Sequence, residues 1–566
     1  MFLKVKLFFV IVIFFSVPLL VRATVLDFYV DSSYDYLGRS KISASLHQIG
    51  ERAYFFVEDN YYYSLNDEGR KDFSVSLKKI VQEFDEVIYP QLRATFGSEW
   101  KPGIDNDEKI TVLFTQIKGE AGGYFNSADE FSILQSPNSN EREMVYLNAK
   151  YVTTFIAKSL LAHEFMHLIT FNQKERVLGV PEEVWLNEAR SEYAPTLLGY
   201  DQDLSNSNLQ KKIKTFLQKP NDSLTEWKGE GVDYGILNVF TQYLVDHYGV
   251  KILVDSLNSN QVGIPSLEEA LKKNGYQDSF GKIFTNWTVA VLVNNCNFSL
   301  ELCYLNQGLK YLRISPQLNF LPSAGESTLS LTDYVKNWAG NWYKFIGGQG
   351  VLKLEFIGDP NTKFEVPILL EDSLGNYSLD FLKLENSQRG TRYFLDFGKK
   401  YISLTIIPSL QSKISGFNGL EQYHKFLWTA SIINDGQKTK EEENNELIKN
   451  LLEQIARLQF QIAELLAKKA NSPIDNTCRE IKNNLYFGLS DNAEVRCLQD
   501  FLKKQGQDIY PEGLATGNFG SLTAAAVIRF QEKYASEILT PLSFQKGTGF
   551  VGQATRTKIN QLLKSR

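Results

Sequence analysis

The chain has 566 residues, of which 43% are hydrophobic and 22% charged, and its formal net charge is −6. This length corresponds to several domains of about 150 residues, and the composition is that of folded domains rather than of a disordered or collagen-like chain. An acidic chain has no overall excess of Lys and Arg with which to bind phosphates, so we expect no nucleic-acid partner.

Residues 1–23 have the pattern of a secretory signal peptide. Lys4 and Lys6 precede an apolar run from Leu7 to Val21, and Ala23 offers a small residue for cleavage. The run of about 15 residues is short for a membrane span, which needs about 20, and an uncleaved anchor is the alternative. We therefore expect a secreted, extracellular protein.

Four cysteines fall into two local pairs, Cys296 with Cys303 and Cys478 with Cys497. Export permits disulfides, and four cysteines allow three connectivities. Local pairing is favoured because each pair lies within one predicted domain, whereas four buried thiols are the alternative.

Residues 24–315 are predicted to form one α+β domain, with an N-terminal part at 24–120 and a helical part at 121–315. Strands are predicted at Ala53–Val57 and Lys109–Phe114. From Tyr151 to Phe171, apolar residues recur at three- and four-residue steps, which predicts a helix.

Two further regions and a connection follow. Alternating segments separated by turn residues predict an all-β sandwich over 316–433. Residues 434–475 are a polar linker followed by Ile and Leu at heptad positions, beginning with Ile448 and Leu451. Ile at a and Leu at d favours a parallel coiled coil, so a homodimer is expected, with an intramolecular spacer helix as the alternative. Residues 476–566 form a compact C-terminal domain.

His163, Glu164 and His167 form an HExxH pattern within the predicted helix. A four-residue step places both imidazoles on one helix face about one turn apart, as two ligands of one tetrahedral zinc require. Glu164 is rotated by about 100° from His163 and can point at a water beside the metal. A third protein ligand is expected, because catalytic zinc commonly takes three.

The segment Trp185 to Ala194 contains Asn187-Glu188-Ala189-Arg190-Ser191-Glu192. It resembles the second helix motif of thermolysin-type gluzincins, and more closely that of hyicolysin-like neutral zinc metallopeptidases. The resemblance implies a zincin fold, a zinc cofactor, Glu188 as the third ligand, and Glu192 with Asn187 as supports of the imidazoles. The thermolysin pattern has Asp where this chain has Glu192. The metzincin pattern fails, because the next histidine after His167 is His247.

The expected chemistry is metal-assisted peptide hydrolysis, with Glu164 as the general base. Gluzincins supply an oxyanion donor from downstream helices, for which Tyr234 and His247 are candidates, with Tyr234 preferred. An edge strand that pairs with the substrate is expected at Gly122–Phe125 or at Met144–Tyr146.

The C-terminal domain carries Thr516-Gly517-Asn518-Phe519-Gly520 and Val551-Gly552. These turns, and the apolar helices between them, resemble the three-helix peptidoglycan-binding domain. The resemblance implies that peptidoglycan is a partner; a helical module with another ligand is the alternative.

These features together predict a secreted bacterial zinc metalloendopeptidase that acts on proteins or peptides and is held at the cell wall. Two alternatives stay open: a hydrolase of peptidoglycan cross-links, and a non-catalytic adhesin with a structural zinc site.

Overall fold

The structure is a computed structural model that describes residues 24–417, 419–433, 478, 480–542 and 544–564. The predicted signal peptide (1–23), the predicted linker and coiled coil (434–475), and residues 476 and 477 of the predicted C-terminal domain lie outside the described residues. The chain divides into two units, Met1–Asp435 and Gly436–Arg566. Within the described ranges, no helix combines the length and the apolar character needed to cross a membrane.

The first unit begins with a six-stranded sheet of order β1-β2-β3-β4-β6-β5. Strands β3, β4 and β6 pair in parallel, and the other pairs are antiparallel. Every residue of β4 and β6 is buried, as expected for strands that are covered on both faces. The strands are β1 Val25–Tyr29, β2 Lys41–Ile49, β3 Ala53–Glu58, β4 Ile110–Thr115, β5 Gly123–Phe125 and β6 Met144–Asn148.

Three helices connect β3 to β4: α1 Asp59–Ser64, α2 Asp67–Glu83 and α3 Tyr89–Phe96. The next helix, α4, spans Ala157–Thr170. It starts six residues later than the sequence pattern predicted, because the chain from Tyr151 forms turns first. One of these turns is closed by the Thr154 hydroxyl, which donates to the carbonyl of Tyr151 at 2.6 Å.

The helical part that follows α4 packs with the sheet around one apolar core. Within this part, α4 lies against α5, and α5 lies against α7. The helices are α5 Val184–Leu197, α6 Asn208–Gln218, α7 Gly231–Tyr248, α8 Lys251–Leu257, α9 Gly263–Lys273 and α10 Phe280–Val293.

The β-rich region consists of two strand groups, β7-β9-β15-β12-β13 and β14-β10-β17-β8. The pair Phe397 and Tyr401 joins β14 to β15, and the apolar side chains of both groups form one core. A small sheet of β11 and β16 adjoins them. The strands are β7 Gln317–Leu321, β8 Ser327–Val335, β9 Tyr343–Gly347, β10 Gly350–Gly358, β11 Phe364–Glu365, β12 Pro367–Asp372, β13 Tyr377–Phe381, β14 Arg389–Phe397, β15 Tyr401–Ile406, β16 Ser409–Leu410 and β17 His424–Ile433.

The β-rich region supports the start of α5. The carboxylate of Glu183, which directly precedes this helix, accepts backbone N–H groups from Gly416 and Phe417 at 2.6 and 3.2 Å. It also accepts the indole N–H of Trp185 at 2.7 Å. The N-terminal end of α5 is therefore fixed by a loop more than 200 residues away in the sequence.

The second unit is helical and has its own apolar core. Its helices are α11 Ala493–Lys503, α12 Ser521–Lys533, α13 Ala535–Ile538 and α14 Gln553–Lys564. A disulfide joins Cys478 to Cys497, with the Cα atoms 5.5 Å apart.

An internal repeat organises this unit. Gln499 and, 32 positions later, Gln531 make matching hydrogen bonds. Each amide oxygen accepts a backbone N–H that lies 18 residues further on, and each amide nitrogen donates to a threonine hydroxyl 24 residues further on. The two helix-and-turn repeats are therefore built alike, each fixed by one buried glutamine.

Candidate metal centre

Helix α4 places the two histidines of the HExxH pattern side by side. The Nε2 atoms of His163 and His167 are 3.2 Å apart, because a four-residue step returns to the same face of the helix. The rest of that face is buried, so the imidazoles lie on the inner side of α4 rather than in open solvent.

Helix α5 brings Glu188 to the same point. Its Oε2 atom lies 3.3 Å from Nε2 of His163 and 3.7 Å from Nε2 of His167. Ligand atoms about 2.0–2.1 Å from a tetrahedral zinc are separated by about 3.3 Å, so the three distances fit one ion. Apart from the two histidines, the same buried Oε2 has no hydrogen-bond donor among the described residues, which leaves it available to a cation.

Both imidazoles are held from behind by residues of α5. The Asn187 Oδ1 atom is 3.1 Å from Nδ1 of His167, and the Ser191 hydroxyl is 3.2 Å from the same nitrogen. The Glu192 carboxylate is 3.4 Å from Nδ1 of His163. When Nδ1 carries the proton in each ring, Nε2 presents its lone pair toward Glu188, as metal binding requires.

Glu192 is itself fixed by three side chains from α6 and α7. Lys212 Nζ lies 2.6 Å from its Oε1, while the side-chain amides of Asn208 and Asn238 each donate to its Oε2 at 3.2 Å. Glu192 is almost fully buried, at 2% exposure, so this network keeps a charged group stable in the interior.

The charges of the site favour a bound cation. Although burial opposes the shift, hydrogen bonding to Glu188 and the charges of Glu164 and Glu192 raise the pKa of His163 to about 9. Burial also opposes the ionisation of Glu188, but the charges of His167 and His163 hold its pKa below the usual range. The acidic groups around the imidazoles therefore favour positive charge at this point, which a divalent cation would supply.

Glu164 lies beside the edge strand β5. A methyl group at Gly123 would stand 2.9 Å from the Cγ and Oε1 atoms of Glu164, so only glycine permits this close approach. Burial raises the pKa of Glu164 to about 8, and the neighbouring carboxylates of Glu188 and Glu192 add to the shift against the opposing charge of His163.

Tyr234, near the start of α7, faces the metal-binding residues. Its ring centre is 6.4 Å from that of His163, and Lys212 Nζ lies 4.3 Å from its ring centre. Burial, followed by the charges of Glu188 and Glu164, raises the pKa of Tyr234 far above its usual value, so its hydroxyl keeps the proton that a donor needs.

His247 is not brought to the site. It lies in the last turn of α7, thirteen residues beyond Tyr234, or about 20 Å along the helix axis. Its Nε2 is 2.9 Å from the carbonyl oxygen of Cys303. Cys303 is joined to Cys296 by a disulfide with the Cα atoms 5.1 Å apart, so His247 belongs to the packing around α10.

Strand β5 forms the free edge of the sheet beside the histidines. Phe125 stacks on His167 with ring centres 6.5 Å apart. The alternative segment, Met144–Tyr146, lies in β6, which is paired on both sides by β4 and β5. Of the two predicted segments, only β5 therefore has an open edge with which a substrate backbone could pair.

Tyr34 is a site residue that the sequence pattern did not indicate. Its ring stacks on Tyr124 of β5 at 4.7 Å, and Tyr124 stacks in turn on Tyr146 at 4.2 Å. Burial raises the pKa of Tyr34, and the charges of Glu188 and Glu164 add to this shift. A loop near the N-terminus has no local pattern that links it to HExxH.

Two regions of the chain are similar to known proteins. Over 44% of its length the chain is 28% identical to the "Neutral metalloprotease ShpI" of Staphylococcus hyicus, and it spans 59% of that protein. Residues 491–536 match the family described as "Putative peptidoglycan binding domain". The chain is thus similar in part to a metalloprotease and carries a peptidoglycan-binding type of domain in its second unit.

One solved structure is that of a novel family GH115 4-O-methyl-alpha-glucuronidase with specificity for decorated arabinogalactans. The alignment covers 58% of this chain and 52% of that chain. The sequence identity is 9% and the TM-score is 0.13, so this alignment gives no information about the fold.

Proposed function

We propose that this chain is a secreted zinc metalloendopeptidase of the gluzincin type that cleaves proteins at the bacterial cell wall. The observation that carries the proposal is the convergence of His163 Nε2, His167 Nε2 and Glu188 Oε2 within 3.7 Å of one another. Partial similarity to a neutral metalloprotease supports it.

The donor set fits zinc. Two imidazole nitrogens and one carboxylate oxygen are the ligand types of catalytic zinc sites that keep a position for substrate or water. When bound, zinc would supply Lewis-acid polarisation of the scissile carbonyl and would make a nearby water more acidic. Asn187 and Glu192 would hold the two imidazoles in the orientation that the ion needs.

Glu164 is the proposed general base. It takes a proton from the attacking water and returns it to the nitrogen of the leaving amine. Its carboxyl group is buried beside the proposed metal ligands, where it can hold that proton between the two transfers. Gly123 keeps room for the side chain beside the substrate-binding edge.

Tyr234 and β5 are proposed to bind the reacting peptide. The Tyr234 hydroxyl donates a hydrogen bond to the oxyanion that develops on the scissile carbonyl. An extended substrate adds to the open edge of β5, in which Gly123 lies beside Glu164 and the Phe125 ring stacks on His167. Tyr34 borders the same cleft through its stack on Tyr124.

The test compares four purified proteins: the parent, Glu164→Gln, Glu188→Gln and Glu68→Gln, the last of which alters an exposed carboxylate on α2. Zinc content and cleavage of unfolded casein are measured for each. We expect zinc in all except Glu188→Gln, and cleavage only by the parent and Glu68→Gln, with full loss on chelation. Cleavage by Glu164→Gln would refute the assigned base.

The peptidoglycan-binding type of domain favours a second candidate, hydrolysis of peptidoglycan cross-links. Purified sacculi distinguish the two activities. A protease leaves their turbidity unchanged and cleaves casein, whereas a wall hydrolase lowers the turbidity. A chain that binds sacculi and zinc but does neither is an adhesin with a structural zinc site. In all three cases we expect the full chain to sediment with sacculi.

A further inference from the structure

Three tyrosine rings form a row across the edge of the first sheet. Tyr146 of β6 and Tyr124 of β5 are paired residues, and their rings stack with the centres 4.2 Å apart and the planes 9° apart. The Tyr34 ring stacks on Tyr124 at 4.7 Å and 22°. A ring has two faces, and Tyr146 covers one face of Tyr124. Tyr34 therefore lies on the other face, which is turned away from β6.

The row continues beyond the last strand of the sheet. Its spacings are close to the distance of about 4.7–4.9 Å between neighbouring strands. Since β5 is the outer strand, the Tyr34 ring lies where a side chain of one further strand would lie. The Tyr34 side chain is 40% exposed, so a strand that adds to β5 can reach it.

The backbone of the loop that carries Tyr34 is fixed to the chain that follows β4. The Tyr34 carbonyl accepts the N–H of Lys118 at 2.8 Å. Two residues further on, the N–H of Tyr36 donates to the carbonyl of Gln116 at 3.0 Å. The Tyr34 ring is therefore presented at the edge of β5 by a backbone that is held on both sides.

The main-chain hydrogen bonds of β5 define which substrate residue lies opposite Tyr124. The Gly122 carbonyl accepts the N–H of Asn148 from the β6 side at 2.9 Å. Hydrogen bonding alternates along an antiparallel pair, so the main-chain groups of Tyr124 also point to β6, and those of Gly123 and Phe125 point to the open edge. A substrate strand that bonds to Gly123 and Phe125 places the residue between its bonded residues opposite Tyr124.

That substrate residue meets the Tyr34 ring. Directly opposed residues place their side chains on the same face of a sheet, with Cβ atoms about 4.5–5.5 Å apart. The substrate side chain opposite Tyr124 therefore points into the space that Tyr34 fills. Glycine and alanine have no atom beyond Cβ, whereas a longer side chain collides with the ring. The substrate residues on either side point to the opposite face of the sheet and do not meet Tyr34.

We propose that Tyr34 determines specificity by restricting one substrate position, the residue opposite Tyr124, to glycine or alanine. This proposal rests on the proposed peptidase function and names its substrate class. The preferred chains carry a small residue close to the cleaved bond, because Gly123, the neighbour of Tyr124, lies beside the proposed base Glu164. Selection here works by a clash with the wrong side chain rather than by a contact with the right one.

The test measures which residues flank the bonds that the enzyme cuts. Zinc-loaded full chains of the parent, Tyr34→Ala, Tyr34→Phe and Tyr36→Ala are incubated with a mixture of peptides of varied sequence, and the products are identified by mass spectrometry. Tyr36 is the matched control, because it is a tyrosine of the same loop with 61% exposure. Two peptides that differ only by glycine or leucine at the selected position then give kcat/KM for each protein.

We expect one position at which the parent accepts almost only glycine and alanine, and at which leucine lowers kcat/KM by at least about tenfold. Tyr34→Phe keeps the ring and should keep this preference, as should Tyr36→Ala. Tyr34→Ala should reduce the difference between the two peptides to within about threefold and leave the preferences at neighbouring positions unchanged.

The outcomes separate this proposal from the peptidase function. A parent that cleaves peptides without such a position would overturn the role of Tyr34 and leave the peptidase function intact, even if Tyr34→Ala failed to fold. A Tyr34→Ala variant that cleaves with the preference of the parent would overturn the role equally. If the zinc-loaded parent cleaves no peptide, the peptidase function and this proposal fail together.

Discussion

Replacing Glu192 with glutamine should weaken zinc binding without touching a metal ligand. Glu192 lies 3.4 Å from Nδ1 of His163 and 2.6 Å from Nζ of Lys212. Glutamine keeps an oxygen that can accept from His163 but removes the charge that strengthens this hydrogen bond. Changes at such supporting groups reduce metal affinity by about 10- to 100-fold.

The same substitution should also destabilise the zinc-free protein. Breaking a fully buried ion pair costs about 3–5 kcal/mol, because one charge is left without a partner. The Lys212 side chain is 14% exposed and can reach some solvent, so we expect about 1–3 kcal/mol. Lys212→Met in the Glu192→Gln background removes the orphaned charge, and it should restore part of the stability but none of the zinc affinity.

The assay measures both quantities on the same proteins. Zinc affinity is obtained by competition with a chromophoric chelator, and the free energy of unfolding by denaturant titration of the zinc-free chain. Glu68→Gln serves as the control for loss of an exposed carboxylate. A zinc affinity for Glu192→Gln within about twofold of the parent would refute the role assigned to Glu192, because the expected loss is at least tenfold.

Three further predictions concern the cleft and the scaffold. Gly123→Ala should lower the rate of casein cleavage by about 100-fold or more, because the added methyl group would stand 2.5 Å from the carbonyl oxygen of Tyr146 and 2.9 Å from the Glu164 side chain, so that the strand or the general base must shift; zinc content should be unchanged. Tyr234→Phe should lower kcat by about 10²- to 10³-fold with little change in KM, since the lost donor acts on the oxyanion, and equal effects on both constants would contradict this role. Although burial opposes it, hydrogen bonds from Lys251 and Lys273 lower the pKa of Asp255 to about 2. The resulting stabilisation is present above the unfolded pKa of about 3.9 and is lost as the pH falls toward 2, so Asp255→Asn should cost about 1–2 kcal/mol at pH 6 and almost nothing at pH 2. A cost that does not change with pH, measured by denaturant titration, would refute that assignment.

The metal-binding residues could be anticipated because their geometry is mostly local. A four-residue step on a helix places His163 beside His167 whatever the rest of the fold does. Glu188 needed more than spacing, since only the resemblance of its helix motif indicated that α5 returns to α4. The structure brings it within 3.3 Å of His163.

Residues that complete the site from distant segments could not be anticipated. Tyr34, Lys212 and Asn238 come from the β1–β2 connection, α6 and α7, and each reaches the site through tertiary packing alone. A polar side chain in an amphipathic helix has no sequence signal that separates a solvent-facing position from one buried against Glu192. His247 was a candidate because histidine is rare in this chain and His247 lies on the same helix as Tyr234. It is at the far end of that helix and does not reach the site.

The order of the strands in the sheet also depends on pairing between segments that are far apart in the sequence. Gly123–Phe125 and Met144–Asn148 both read as strands, and only pairing decides which is the edge. In the structure β6 inserts between β4 and β5, so the earlier segment becomes the outer one.

By contrast, the repeat of Gln499 and Gln531 was visible in the sequence as two glutamines followed at equal distances by Thr-Gly and by Thr. A search for internal similarity in residues 495–559 would have found it.

X-ray absorption at the zinc edge tests the central claim most directly. On the full chain loaded with zinc, we predict one ion per chain with two imidazole nitrogens and one or more oxygens at about 2.0–2.2 Å, and no sulfur. Glu188→Gln should lose the ion, whereas Glu68→Gln should give the parent spectrum. A zinc-free protein, or a shell without paired imidazoles, would contradict the assignment of His163, His167 and Glu188 as a metal centre.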